Sequence, residues 1–342
     1  MKPILKWTGG KSSELNIIKE NLPSKINSFV EPFLGGGAVY FNLENKVNFV
    51  NDFNKELISF YKIIQDKEKL TCLSKIIQQM DVERNEIKNI KNINQFHEKS
   101  KNISNNEKYQ YYLNREYNSK IKSINKINNK NLNENKQLLS EDEKFVQIIT
   151  SCYAALYYMY RDMYNDKNQN NIFDIEHIAY WFLMREIAYS GMFRYSKNGK
   201  FNVPYGGISY NSKNLMNKLN YINEVSNQDF FKQTVFNNGD FEDFFKKYNY
   251  FENDDFIFVD PPYDSNFSQY NKEEDFDKTH QIRLRDTLLK TKANIMIVIK
   301  YTDFIYDLYK DDFNITSFDK NYSVNFKNRN DREVNHIIIK NY

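Results

Sequence analysis

The residues with the clearest potential for chemistry follow an apolar run near position 260. The run Phe256-Ile257-Phe258-Val259 contains no polar residue, which is typical of a strand buried on both faces. Asp260-Pro261-Pro262-Tyr263 comes directly after it. The prolines lack an N–H and cannot extend a strand ladder, so the strand must stop at Asp260. Because ligands bind at the carboxyl ends of strands in open α/β sheets, these four residues are candidate catalytic residues.

These residues suit an exocyclic amino group on a planar base. Such a nitrogen is a poor nucleophile, because its lone pair is delocalised into the ring. The Asp260 carboxylate and the Pro261 carbonyl could accept both of its N–H bonds and free the lone pair for attack. Tyr263 could stack on the ring. The alternative is a strand that ends in a common Asp-Pro turn.

Two earlier segments carry candidate ligand residues. A short strand, Ser28 to Glu31, leads through Pro32 and Phe33 to three glycines and an apolar helix, which would bring a ligand close to backbone donors. The next strand, Val47 to Asn51, ends at Asp52, where an acceptor for ribose hydroxyls is expected. The alternative role for Asp52 is a cap for the helix of residues 56–64. Together the glycines and the acid favour an adenosine-type ligand.

Two other stretches could contact a small molecule. Residues 9–12, Gly-Gly-Lys-Ser, are not a phosphate loop, because Leu5 stands where its first glycine belongs. Trp7 could stack on a ligand and Lys11 could contact an anion, or the stretch is a glycine turn before a helix. A strand from residue 234 leads to Asp240 and Phe241, which could bind an adenine ring; the alternative is a turn and helix cap.

A basic and aromatic stretch lies between residues 192 and 207. Its Asn198-Gly199 pair predicts a tight hairpin. A β-ribbon of this kind can enter a DNA groove, although an ordinary surface hairpin is the alternative. Its candidate DNA-binding residues are Arg194, Tyr195, Lys197, Lys200, Asn202 and Pro204.

The elements that would position these residues alternate between strand and helix. Apolar strands are predicted at 294–301 and 336–340, with a helix at 278–292 between them, which indicates an α/β fold with a mainly parallel sheet. Residues 146–161 and 178–189 are predicted helices. The Asn- and Lys-rich residues 102–106 and 125–135 are predicted loops.

Composition narrows the class of protein. The net charge of the 342 residues is only +3, so a nucleic-acid surface must be a local patch. Cys72 and Cys152 match no metal spacing and fit a reducing cytoplasm. The sequence contains no apolar stretch of membrane-spanning length and no signal-peptide pattern. We therefore expect a cytoplasmic protein without a metal or a membrane partner.

Four separated blocks together resemble the Dam-like adenine-N6 DNA methyltransferases, the D12 class with its permuted motif order. They are residues 6–11, residues 31–37, the hairpin from Arg194 to Gly206, and Asp260-Pro261-Pro262-Tyr263. Residues 328–336 are also similar. Two segments depart from the family pattern: residues 66–143, and Lys300-Tyr301-Thr302-Asp303, where many relatives have a Ser-Asn pair.

The resemblance implies a Rossmann-like S-adenosylmethionine-dependent methyltransferase fold with a mainly helical DNA-recognition domain that carries a β-hairpin. The catalytic domain would comprise residues 1–60 and 231–342, and the recognition domain residues 61–230. The enzyme would flip adenine out of double-stranded DNA and methylate N6, as a monomer, either alone or beside a cognate restriction endonuclease. The implied cofactor contacts, taken with the residues above, are Trp7, Lys11, Glu31, Phe33, Gly35, Gly37, Asp52, Asp240, Phe241 and Asp260.

Two other functions fit parts of the pattern. Similar tetrapeptides serve methylation of RNA and of protein glutamine amides, although the basic hairpin and the motif order favour DNA. A DNA-binding protein without catalysis is a rival from another class, which the intact Asp260 and the glycine loop disfavour. Transfer of a labelled methyl group distinguishes the two classes.

Overall fold

A computed structural model of the protein describes residues 1–262, 276–321 and 333–342. Within this part the chain divides into two compact units. We call Met1–Gln65 with Glu224–Tyr342 the sheet unit, and Asp66–Asn223 the helical unit. Their boundaries lie a few residues from the predicted domain limits at 60 and 230, and the functions assigned to those domains stay predictions. None of the helices in the described part is long and apolar enough to span a membrane.

The sheet unit contains a seven-stranded sheet in the order β3-β2-β1-β4-β5-β7-β6. All pairs from β3 to β5 are parallel, whereas β7 runs antiparallel to β5 and to β6. This confirms the predicted α/β class and its mainly parallel sheet. The strands are Ser28–Glu31 (β1), Val47–Asp52 (β2), Val235–Asn238 (β3), Phe256–Val259 (β4), Asn294–Lys300 (β5), Asn314–Asn321 (β6) and Glu333–Lys340 (β7).

The α-helices of the described residues include those predicted after the glycines and at residues 56–64, 146–161, 178–189 and 278–292. Those of the sheet unit cover the sheet, and those of the helical unit pack on one another. They are Leu15–Glu20 (α1), Ala38–Leu43 (α2), Lys55–Gln65 (α3), Lys67–Lys88 (α4), Ile93–Lys99 (α5), Glu107–Asn133 (α6), Glu141–Gln169 (α7), Ile175–Ile187 (α8), Leu215–Ser226 (α9), Asp229–Lys232 (α10), Phe241–Lys247 (α11), Lys278–Leu288 (α12) and Asp303–Tyr309 (α13).

Strand β4 lies at the centre of the sheet, between β1 and β5, and all four of its residues are buried. The strand ends at Val259, directly before Asp260 and the two prolines, as their missing N–H groups predict. Apolar residues of β1, β4 and β5 form one core with α11, α12 and α13. This core includes Val30, Ile257, Ile297, Phe244, Leu284 and Ile305.

The helical unit corrects one prediction. Residues 125–135 were expected to form a loop, but α6 continues to Asn133. The Asn- and Lys-rich composition hides isoleucines at positions 121, 124 and 127, whose spacing keeps them on one helical face. Ile124 is buried. The other predicted loop, residues 102–106, is confirmed between a short 3₁₀ turn and Asn106, which caps α6.

Candidate active site

A cavity lies at the carboxyl ends of β1, β2 and β4 in the sheet unit, where ligands are expected in an α/β sheet. Every predicted cofactor-binding or catalytic residue that the structure describes lines this cavity. Tyr263 lies outside the described residues. The predicted residues brought together are Trp7, Lys11, Glu31, Phe33, Gly35, Gly37, Asp52, Asp240, Phe241, Asp260, Pro261 and Pro262.

Asp260 and Lys11 form an ion pair inside the cavity, although 249 positions separate them in the chain. The Lys11 side chain is 2% exposed and also donates to the Gly9 carbonyl at 3.2 Å. Asp260 remains 20% exposed and lines the cavity wall. Lys11 was predicted to contact an anion, and in the structure the anion that it contacts is the candidate catalytic carboxylate of Asp260. A neighbouring cation favours the charged form of a carboxyl group, and that form accepts hydrogen bonds.

Glu31 is the last residue of β1 and is almost fully buried. Its Oε2 atom has no hydrogen-bond partner among the described residues. Burial raises the pKa of Glu31 well above its ordinary value, and the nearby Asp260 and Asp52 carboxylates raise it further. A buried, unsatisfied carboxyl oxygen in a cavity wall is costly unless a ligand meets it. A hydrogen-bond donor or a cation placed in the cavity beside Glu31 would satisfy this oxygen.

Asp52 fixes the glycine loop to the end of β2. Its Oδ2 accepts from the Gly35 N–H and its Oδ1 from the Asn54 N–H, both at 2.8 Å. The alternative helix-cap role of Asp52 is wrong, because Asn54 accepts from the Leu57 N–H at the start of α3. Burial outweighs the two hydrogen bonds and raises the pKa of Asp52 to about 6.

The glycine loop differs from the expected ligand cradle. Gly35 has a φ of 49°, and a Cβ there would lie 3.0 Å from the Trp7 indole. A Cβ at Gly36 would also lie 3.0 Å from Trp7. The N–H of Gly37 donates to the Leu34 carbonyl at 2.7 Å, and that of Gly35 is held by Asp52. These glycines therefore admit Trp7 and shape the loop, and two of their donors serve the protein rather than a ligand.

Asp240 has the helix-cap contact that was its alternative role, and it also lines the cavity. Its Oδ1 accepts from the Glu242 N–H at 2.8 Å and from Arg283 at 3.0 Å. Phe241, the first residue of α11, lies 5.6 Å from Phe33 between ring centroids. Phe276 lies 5.7 Å from Phe33 and 6.1 Å from Phe241, so three rings form one aromatic wall.

Sequence reasoning missed Phe276, Arg283, Asn51 and Gln281. Buried Asn51 donates to the carbonyls of Pro32 and Gly239, at 3.1 and 3.0 Å, and so joins the ends of β1 and β3 to its own strand. Gln281 of α12 is fully buried and donates to the Pro262 carbonyl at 3.0 Å. The sequence offered one indication for Asn51, because this amide ends a predicted strand directly before Asp52. It offered no local indication for Gln281.

The predicted hairpin is present in the helical unit. Tyr195 pairs with Phe201 in a single antiparallel bridge, in place of the expected longer strands. Gly199 adopts a φ of 71° and donates to the Ser196 carbonyl at 2.8 Å, which closes the turn. Arg194 binds both the side-chain and the backbone oxygen of Asn202, at 2.8 and 3.0 Å. The exposed candidate DNA contacts are Arg194, Lys197, Lys200 and Pro204.

Comparisons with known proteins agree on one family. The family model of D12 class N6 adenine-specific DNA methyltransferases matches residues 7–137 and 127–324. The chain is 29% identical to a Type II methyltransferase, M.CviBI, of Paramecium bursaria Chlorella virus NC1A, over the full length of both. It is 28% identical to the Type II methyltransferase M.MjaIII of Methanocaldococcus jannaschii, over 100% of this chain and 99% of that protein. A 64-residue segment, 19% of this chain, is 42% identical to 23% of the DNA adenine methylase of Escherichia coli K12.

Proposed function

The chain belongs to the D12 class N6 adenine-specific DNA methyltransferases, and from this premise we propose that it transfers a methyl group from S-adenosylmethionine to a flipped adenine of double-stranded DNA. The observation that carries the proposal is the acidic cavity at the strand ends. Its wall contains Asp260, the buried carboxyl group of Glu31 and the partly buried carboxyl group of Asp52, with Lys11 as the cation paired to Asp260.

The charge of the cavity suits this donor. S-adenosylmethionine carries a sulfonium and an ammonium group, whereas a nucleoside triphosphate would bring phosphates to a wall of carboxylates. The orphaned Oε2 of Glu31 fits a cationic donor such as the ammonium, which would favour ionisation of that carboxyl group. Asp52 would accept from the ribose hydroxyls, and Phe33 and Phe241 would pack on the adenine ring. When bound, the cofactor supplies an electrophilic methyl group on sulfur.

Asp260 and the loop after it would activate the target amino group. The carboxylate and the Pro261 carbonyl each accept a hydrogen bond from one N–H of the amino group. The carboxylate also stabilises the positive charge that develops on nitrogen. The Pro262 carbonyl is already held by Gln281, so Pro261 is the proline that serves the base. Tyr263 would stack on the flipped base and recover part of the few kcal/mol that flipping costs.

A transfer assay tests the proposal. The protein is incubated with methyl-labelled S-adenosylmethionine and either duplex DNA, RNA or a glutamine-containing peptide. Label in duplex DNA alone is the expected result. Label in RNA or in the peptide would show that the enzyme methylates a different planar amine or amide. DNA binding without any transfer reduces the protein to a binding module.

We also propose that the enzyme is the modification half of a restriction–modification system, since its full-length relatives are named Type II methyltransferases. Methylation-sensitive sequencing of DNA from cells that express the protein should give one short recognition sequence. The same DNA should resist a restriction endonuclease that cuts there. Methylation scattered over unrelated adenines would contradict this role.

The raised pKa of Asp52 predicts a pH dependence of cofactor binding. The ionised carboxylate is the better acceptor for ribose hydroxyls, so S-adenosylmethionine affinity should rise with pH through about 6. The stability of the free protein should change in the opposite sense, because its folded state holds this proton more tightly than the unfolded chain does. Calorimetric titration from pH 5 to 8 measures the affinity. In Asp52→Asn the component near pH 6 should vanish, and its persistence would assign the titration to another group.

Gln281 is predicted to be a positioning residue for the catalytic loop. Gln281→Leu removes the N–H that holds the Pro262 carbonyl. Misplacement of a reacting group by about 1 Å can cost on the order of 10²-fold, so kcat should fall towards that limit while cofactor affinity stays unchanged. Thr287→Val is the matched control, because Thr287 is a buried polar residue of the same helix whose hydroxyl donates to the Arg283 carbonyl within that helix. Equal losses in both variants would indicate a general packing effect.

A further inference from the structure

The helical unit contains three arginines, one in the predicted hairpin and two on helices, that do not line the cofactor cavity. They are Arg115 of α6, Arg161 of α7 and Arg194 of the hairpin, and we call them the arginine row. Resting on the proposed function, we propose that the arginine row binds the phosphates of the DNA substrate and extends the recognition surface from the hairpin across both helices.

One aromatic ring joins the first two members of the row. The guanidinium carbons of Arg115 and Arg161 lie 4.5 and 4.6 Å from the centroid of the Tyr158 ring. Arg115 also lies 4.4 Å from the centroid of Tyr112. Stacking on aromatic faces holds a guanidinium in place at low entropic cost and leaves its edge available for hydrogen bonds. Both groups are therefore ordered before any ligand arrives.

The hairpin backbone connects the second member of the row, Arg161, with the third, Arg194. Arg161 donates to the Val203 carbonyl at 3.4 Å, and Arg194 donates to the neighbouring Asn202 carbonyl at 3.0 Å. Tyr157 also donates to Val203, at 2.7 Å, and the charges of both arginines act on its hydroxyl group. Adjacent backbone carbonyls thus hold two like charges close together. Such an arrangement costs repulsion that a shared anion would relieve.

The acids nearby do not neutralise the row. Glu116 accepts from Arg115 at 2.9 and 2.7 Å, and Asp162 accepts from the Tyr112 hydroxyl. Of these two acids, Glu116 is the one paired with an arginine of the row among the described residues, and the exposed Lys197 and Lys200 of the hairpin add two more cations. Guanidiniums that are already held in place suit the sequence-independent contacts that proteins make with phosphates.

The row has a measurable signature in the salt dependence of DNA binding. Arg115→Gln and Arg161→Gln should each weaken matched and mismatched duplexes by the same factor, and each should lower the slope of log affinity against log salt by about one unit. Arg161→Lys keeps the charge and should keep the slope. S-adenosylmethionine affinity and the thermal unfolding midpoint of each variant establish that the protein is folded.

Arg285→Gln is the matched control, because Arg285 also binds the carboxylate of the next residue but belongs to the sheet unit. An unchanged slope in both row variants, in a wild-type protein that methylates DNA, would overturn the proposal. So would an equal loss in Arg285→Gln, or a loss confined to one duplex sequence. If the wild type transfers no methyl group to DNA, the proposed function fails instead.

Discussion

Asp260→Asn is expected to lower methyl transfer by on the order of 10² to 10³-fold while specific DNA binding largely persists. The substitution keeps the shape of the side chain. It removes the negative charge that makes the Asp260 carboxylate a strong hydrogen-bond acceptor for the amino group of the base. It acts at the transition state, where positive charge develops on nitrogen. Single-turnover kinetics with saturating cofactor and DNA isolate this step from binding. Near-normal turnover would contradict the proposed mechanism.

The ion pair with Lys11 makes a stability control necessary. Asp260→Asn removes a carboxylate from a lysine that is only 2% exposed, and breaking a buried pair destabilises a protein. The thermal midpoint and cofactor affinity of the variant must therefore be measured beside its rate. Asp254→Asn is the matched control, since Asp254 pairs with Lys25 in the same unit but is 49% exposed. Its activity should stay near that of the wild type.

Replacing Arg194, Lys197 and Lys200 together with alanine is expected to give the second large effect. Each phosphate contact contributes about 0.9 units to the salt slope, so the slope should fall by about three units and affinity should drop on all sequences. If Arg194 instead contacts a base edge, Arg194→Ala alone should cost about 1–3 kcal/mol on the preferred site and relax discrimination there. Duplex titrations at two salt concentrations separate these outcomes.

The cofactor provides the internal control for this variant. The hairpin belongs to the helical unit and the cavity to the sheet unit, so S-adenosylmethionine affinity should not change. Lys25, Lys246 and Lys292 are exposed lysines of the sheet unit, and their triple alanine variant is the charge-matched comparison. Unchanged DNA affinity in the hairpin variant would leave the hairpin as a plain surface element. Arg115 and Arg161 would then have to hold the DNA phosphates without Arg194.

The sequence predicted those parts of the site that sit at strand ends. Asp260 follows the apolar strand β4, and Asp52 ends β2, which is separated from β4 by β1 alone. Because these strands are parallel, their ends and both carboxylates lie at one edge of the sheet. The support that the loop after β4 receives from α12 was missed, because Gln281 reaches the Pro262 carbonyl only through the packing of a helix on the sheet. No local pattern encodes such a contact.

Composition misled at α6. Its Asn- and Lys-rich end was expected to be a loop, yet a thin apolar stripe packs there and keeps the helix intact. The contacts of Arg115 and Arg161 with Tyr158 likewise depend on how α6 packs on α7. Propensity also gave two roles to Asp52, ligand and helix cap, and only the position of Asn54 decides that the cap belongs elsewhere.

The central claim is that the acidic cavity transfers a methyl group from S-adenosylmethionine to N6 of adenine. The most direct test incubates duplex DNA with the protein and trideuteromethyl-labelled cofactor, digests the DNA to nucleosides and identifies the labelled nucleoside by mass spectrometry. The heavy label is expected in N6-methyldeoxyadenosine alone, with the signal reduced to background in Asp260→Asn. Label in a methylated cytosine, or an undiminished signal in Asp260→Asn, would contradict it.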